Sequence, residues 1–193
     1  MIKFKPNPRK IIETIVWLAN RVPRIDDYHV MKIIYYADKK HLNKYGRPIL
    51  GDEYIKMENG PVGSLCDDII KGKETKQPKN KPYKIAIDKA MLKKIREAFT
   101  TTPDGDRINI TAKKDFYRGV FSISDLECLR WATKQYQNKT FDELKHETHQ
   151  EKPWRESKMN KPIDYILFIE DDNPNKKYLK EDLQDPETAC MAF

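Results

Sequence analysis

Residues 26–46 read DDYHVMKIIYYADKKHLNKYG, and this stretch sets the architecture of the chain. Asp26 is the residue type that accepts hydrogen bonds from the free N–H groups opening a helix, and Gly46 is the type that closes one. Between them Val30, Ile33, Ile34, Ala37 and His41 recur at spacings of three and four, so they share one face of a helix running to about Tyr45. Upstream, Ile11, Ile12, Ile15, Val16, Leu18, Ala19 and Val22 repeat the same period, which predicts a helix over 9–21, preceded by Pro8 and ended by Pro23.

Downstream, residues 53–57 alternate and predict a short strand, and Asn59-Gly60-Pro61 is a turn. A helix over Val62–Ile70 is expected next, with Pro61 at its first position, where the missing N–H costs nothing. Lys71–Pro82 reads as a loop, and Asp88–Phe99 as a helix striped by Ala90, Met91, Ile95 and Phe99. Arg107–Thr111 alternates like a strand after the turn at 103–106. Ser124 with Glu127 has the spacing of a capping box, opening a helix with Leu126, Leu129, Trp131, Ala132 and Tyr136. Thr140 with Glu143 repeats that signature for a helix to about His146, and Ile163–Ile169 suits a strand or a helix end. The sum is an α+β fold, a predominantly α-helical single domain with a few short strands over residues 1–169. Residues 170–193 are expected to form an acidic, irregular C-terminal tail.

Composition agrees with one packed core. The chain has 193 residues, 38% hydrophobic and 10% aromatic, and 35% charged. No apolar run reaches the roughly 20 residues that span a bilayer. The opening MIKFKPNPRK lacks the apolar stretch of a secretory signal. Three widely spaced cysteines, Cys66, Cys128 and Cys190, fit neither a disulfide framework nor a zinc knuckle. A cytoplasmic protein with no membrane partner is expected. The formal charge of +7 is uneven: residues 170–193 hold seven acids and three lysines, leaving 34 bases against 23 acids in the rest. The densest basic stretch, Lys71–Lys84, has six lysines and one acid. A nucleic-acid-binding regulator is one reading of that surplus, although no arginine cluster or aromatic-rich strand accompanies it.

Patterns that carry catalysis are sparse. There is no phosphate-binding G-x-x-x-x-G-K-S/T loop, no G-x-G-x-x-G and no G-x-S-x-G elbow. His146 and His149 share a helical face, but a zinc site needs three or four convergent ligands, so His149 is expected to pack near Trp154 instead. Asp38 and His41, three apart, have the residue types of an oriented general base. With Asp52, Glu53 and Lys56 they leave open a metal-dependent nuclease or other hydrolase. No catalytic residue, metal ligand or cofactor is assigned.

Taken in order, Ile33-Ile34-Tyr35-Tyr36-Ala37-Asp38-Lys39-Lys40-His41-Leu42, Tyr45-Gly46-Arg47-Pro48-Ile49, Gly51–Met57 and Asn59-Gly60-Pro61-Val62 resemble the Panacea domain, which includes SocA-like antitoxins and phage-associated bacterial proteins. Leu126–Tyr136, Thr140–Leu144 and Thr148-His149-Gln150-Glu151-Lys152-Pro153-Trp154 resemble its C-terminal helices, so the likeness covers roughly residues 10–157. The resemblance implies an antitoxin of a toxin–antitoxin pair that neutralises a cognate toxin by direct binding. It also implies, for one branch, an adaptor role that delivers the toxin to an ATP-dependent protease. No catalytic residue is carried over. The positions that match the motifs are Tyr36, Asp38, His41, Tyr45, Gly60, Pro61, His149 and Trp154. The acids of the tail are expected to meet a basic toxin.

Overall fold

A computed structural model describes residues 2–75 and 85–185 of the chain. Its elements in order are α1 (Pro8–Ala19), α2 (Asp27–Tyr45), β1 (Tyr54–Met57), β2 (Gly60–Gly63), α3 (Ser64–Lys71), α4 (Lys89–Ala98), β3 (Phe99–Asp104), β4 (Arg107–Ala112), α5 (Ile123–Tyr136), α6 (Phe141–Gln150), α7 (Lys152–Arg155) and α8 (Lys176–Gln184). Single 3-10 turns occur at Arg118–Val120 and Tyr165–Phe168. This is the mostly helical α+β single domain the sequence predicts. No described helix is long and apolar enough to cross a membrane.

Helix α2 is the axis of the fold. Asp26 caps it by accepting from His29 N, and Gly46 closes it at φ 76°. The expected apolar face is present, but burial goes further: every residue from Val30 to Asp38 is buried, Lys32 included. A helix covered on all sides lies inside the core rather than against it. It packs most extensively on α5, and also on α3, β2, β4 and the 3-10 turn at 165–168. Tyr35 on α2 meets Tyr54 and Phe168 edge-on, and Tyr165 completes this aromatic layer.

Two antiparallel hairpins flank the helices. In β1–β2, Lys56 pairs with Pro61 and Met57 with Gly60. The outer edge of β1 is covered by residues 160–163, through Lys56 N to Lys161 O, Asn160 N to Lys56 O and Ile163 N to Tyr54 O. An edge covered in this way is closed to further strand pairing. In β3–β4, Phe99 pairs with Ala112 and Asp104 with Arg107.

Several expectations shift. Pro61 lies in strand β2, and α3 begins at Ser64 rather than Val62. Its N-cap is Gly63, which has no side chain to offer, so Asp52 acts in its place: Oδ1 accepts from Leu65 N and Oδ2 from Cys66 N. Strand β3 was not expected, because Thr100, Thr101 and Thr102 are exposed and give no alternation. The buried stripe of α4 is Leu92, Ile95 and Ala98, with Ala90 exposed and Met91 half-buried. The cap of α5 is Ser122 with Asp125, not Ser124 with Glu127. The tail after Asp171 is not irregular throughout, since α8 forms there and buries Leu179 and Leu183. Most of the Lys71–Lys84 basic stretch, residues 76–84, lies outside the described residues.

Candidate functional site

Four of the motif residues meet at the β1–β2 hairpin. Gly60 sits at φ 102°, a conformation side chains resist, and a Cβ there would come within 2.5 Å of Thr148 Oγ1 and 2.8 Å of Lys32 Nζ. The carbonyls of the turn are then claimed one by one. Trp154 Nε1 donates to Met57 O at 3.0 Å, His149 Nε2 to Glu58 O at 2.9 Å, Tyr28 Oη to Asn59 O at 3.0 Å, and Lys32 Nζ to Pro61 O at 2.9 Å. His149 stacks on Trp154 with ring centroids 3.7 Å apart, as expected from their spacing, and Lys56 Nζ lies 4.1 Å from the same indole ring. Burial holds the His149 imidazole below its ordinary range, and the charges of Lys145, Lys32 and Lys56 add to that. The hairpin is therefore gripped by α2, α6 and α7 at its main chain, leaving Met57, Glu58 and Asn59 exposed.

His41 and Tyr45 belong to a second cluster, around the start of α5. His41 is fully buried; its Nδ1 donates to Arg47 O at 2.7 Å, which leaves Nε2 to accept from Ser124 Oγ at 3.0 Å. Burial lowers its affinity for a proton, in keeping with a neutral ring. Asp125, beside it, pairs with Lys10 at 2.6 Å and with Arg47 at 3.3 Å. Although desolvation opposes it, the Lys10 bond helps hold the Asp125 carboxyl below the usual range. Tyr45 packs on His41 and donates to Glu127 at 2.8 Å. Ser124 and Glu127, read from the sequence as a cap pair, thus serve α2 instead.

Asp38 does not meet His41. Its Oδ1 accepts from Ile49 N at 2.9 Å and Leu50 N at 3.0 Å, and Oδ2 accepts from Tyr54 Oη at 3.0 Å. Burial raises its pKa to about 7 against the pull of these three donors. With Asp52 committed to α3, the Asp38, His41 and Asp52 of the hydrolase reading serve three separate backbone networks rather than one site. Among the described residues no group of three His, Cys, Asp or Glu is placed to hold a metal ion.

Tyr36 lies apart from both clusters, stacked on Tyr136 at 4.0 Å in the wall of a cleft of about 720 Å³. Lys39, on the same cleft, is paired with Glu151 and with Glu170. Asp171 pairs with Lys152 and Lys176 at 2.7 Å each, which brings its carboxyl down to about 2. The first acids of the tail, Glu170 and Asp171, thus form ion pairs within the chain. Sequence reading missed Lys32, Tyr28 and Arg107. A lysine inside the apolar run Val30–Ile34 was the available signal for the first, whereas nothing in the sequence marks the others.

The matching family model is that of the SocA-like antitoxins, the Panacea domain, and it covers residues 30–155, or 126 of the 193 residues. No curated protein and no solved structure matches the chain.

Proposed function

Since this chain belongs to the SocA-like antitoxin family, the Panacea domain, we propose that it neutralises a cognate toxin protein by binding it directly, in the cytoplasm, through the face that carries the β1–β2 hairpin. The family match carries the antitoxin part of this reading. The hairpin part is supported by the convergence of Gly60, Pro61, His149 and Trp154, all within the matched region, on one turn. A turn held at four carbonyls loses little freedom when a partner docks, so more of the contact energy is retained as affinity. Stable complexes bury about 1,600 Å² in total, so neighbouring surface of α6 and α7 would join the contact.

Co-expression with the product of the adjacent open reading frame tests the proposal. Growth rescue by this chain, lost on Met57→Asp without a change in thermal midpoint, is the expected result. A neighbour that is not toxic, or a toxin that this chain fails to neutralise, overturns the antitoxin reading. Rescue that survives Met57→Asp and Asn59→Arg together overturns only the hairpin face. Delivery to an ATP-dependent protease is the finer alternative. It requires that toxin lifetime lengthen when the protease is removed.

A further inference from the structure

Among the described residues neither Lys32 nor Arg107 forms a close ion pair, although the charge of Arg107 acts on Asp26. Lys32 is fully buried; its ammonium donates to the Pro61 carbonyl and lies 4.6 Å from the Tyr28 ring. Arg107, half-buried on β4, sets its guanidinium 4.5 Å from the Tyr28 ring and 4.3 Å from that of Phe141. Ring faces stabilise the charge but accept none of the in-plane N–H donors, so the fork that suits a planar anion is open. Both residues line one cavity of about 410 Å³. Its apolar wall is Met31, Ile55, Met57 and Val62. Three acids also line it, of which Asp27 accepts from Ile108 N, Asp67 pairs with Lys71, and Glu58 is exposed. The charge of Arg107 adds to burial in disfavouring the Lys32 ammonium, so the two cations act on one another, and the charge of Arg107 also reaches Asp26. A buried ammonium without an ion pair and a half-buried guanidinium without a hydrogen bond among the described residues, in one cavity, are the groups that recognise an anion.

We propose that this cavity binds one organic anion, a carboxylate or phosphate on an apolar body, with the open donors of Arg107 as its ligands and Lys32 as the second positive charge. Apolar walls with a few convergent polar groups are the usual make-up of a ligand site of this size. A free organic acid and a Glu or Asp side chain of a bound protein offer the same chemistry. The site does not depend on the toxin reading, because small probes suffice to test it.

Titration calorimetry and thermal unfolding with benzoate, phenyl phosphate and N-acetylglutamate amide provide the test, with neutral benzamide as control. At least one acid is expected to bind at or below roughly 20 mM and to raise the melting midpoint, while benzamide does neither. Arg107→Met keeps the stem over the two rings but removes the donors, and should weaken binding by about tenfold or more. Bound acid should also raise the pKa of the Lys32 ammonium, read from its side-chain nitrogen resonance. Preference for N-acetylglutamate amide over benzoate assigns the anion to a protein side chain; the reverse assigns it to a free acid. No binding by any probe, equal binding of benzamide, or binding unchanged in Arg107→Met overturns the proposal, and none of these outcomes bears on toxin neutralisation.

Discussion

Replacing Lys32 by methionine keeps the length of the side chain and removes its charge, which makes the cost of burying that charge measurable. The ordinary lysine value of 10.5 falls to about 7 in the folded chain, through burial first and the charge of Arg107 second. Between those values the unfolded chain carries a proton at this position that the folded chain has released, so stability rises with pH across the interval. Each unit corresponds to about 1.4 kcal/mol, so the climb from pH 7 to pH 9 is about 2–3 kcal/mol. That corresponds to roughly 4–12 °C in thermal midpoint for a domain of this size. Above pH 9 the raised Cys66 and Tyr54 groups act the other way, because the unfolded chain ionises them first. Asp38 titrates between its ordinary value of 3.8 and about 7, below the chosen interval. Urea unfolding of both proteins at pH 7, 8 and 9 isolates the Lys32 contribution, because the other groups are common to both. The difference in unfolding free energy between wild type and Lys32→Met should shift in favour of wild type by the stated amount. Parallel pH dependences would show that Lys32 keeps an ordinary pKa and that the reasoning from its burial is wrong.

Gly60→Ala forces a side chain into a positive φ and against Thr148 and Lys32, and should cost about 2–5 kcal/mol by chemical unfolding. Asp52→Ala strips the acceptors from Leu65 N and Cys66 N, and an expected loss of about 2–4 kcal/mol should come with faster amide exchange confined to the start of α3. Leu183→Ala should cost about 2–3 kcal/mol, because the residue is 3% exposed, and a loss below about 0.5 kcal/mol would mean that α8 is not docked in solution.

The elements legible from the sequence are those whose signals are local. Asp26 and Gly46 bound α2 as read, and the Thr140–Glu143 capping box opens α6 as read. At α5 the Ser124–Glu127 spacing reads as the cap, whereas the box that forms is Ser122–Asp125. The choice is made by distant groups, since Ser124 serves His41 and Glu127 serves Lys44 and Tyr45. Helix α8 escaped because its buried face is only Leu179 and Leu183, one i,i+4 pair in a charged segment. At the hairpin, Gly60, Pro61, His149 and Trp154 were singled out through family likeness. What they do was not legible, because each contact joins a side chain to a backbone carbonyl remote in sequence. The Asp38–His41 spacing misled for the converse reason: residues three apart on a helix share a face, yet the partners awaiting each differ.

The two buried aspartates also have a kinetic meaning. Asp38 takes hold of the backbone 11 and 12 residues later, and Asp52 takes hold 13 and 14 residues later. Loops this short close at low entropic cost and quickly compared with contacts that span the chain. Two successive short closures link the segment from α2 through β1 and β2 into α3 without any contribution from α6 or α7. The contacts of His149 and Trp154 with the turn, by contrast, span 91 and 97 residues, so the surface proposed to meet a toxin joins short-range closures in the N-terminal half to long-range ones from the C-terminal half.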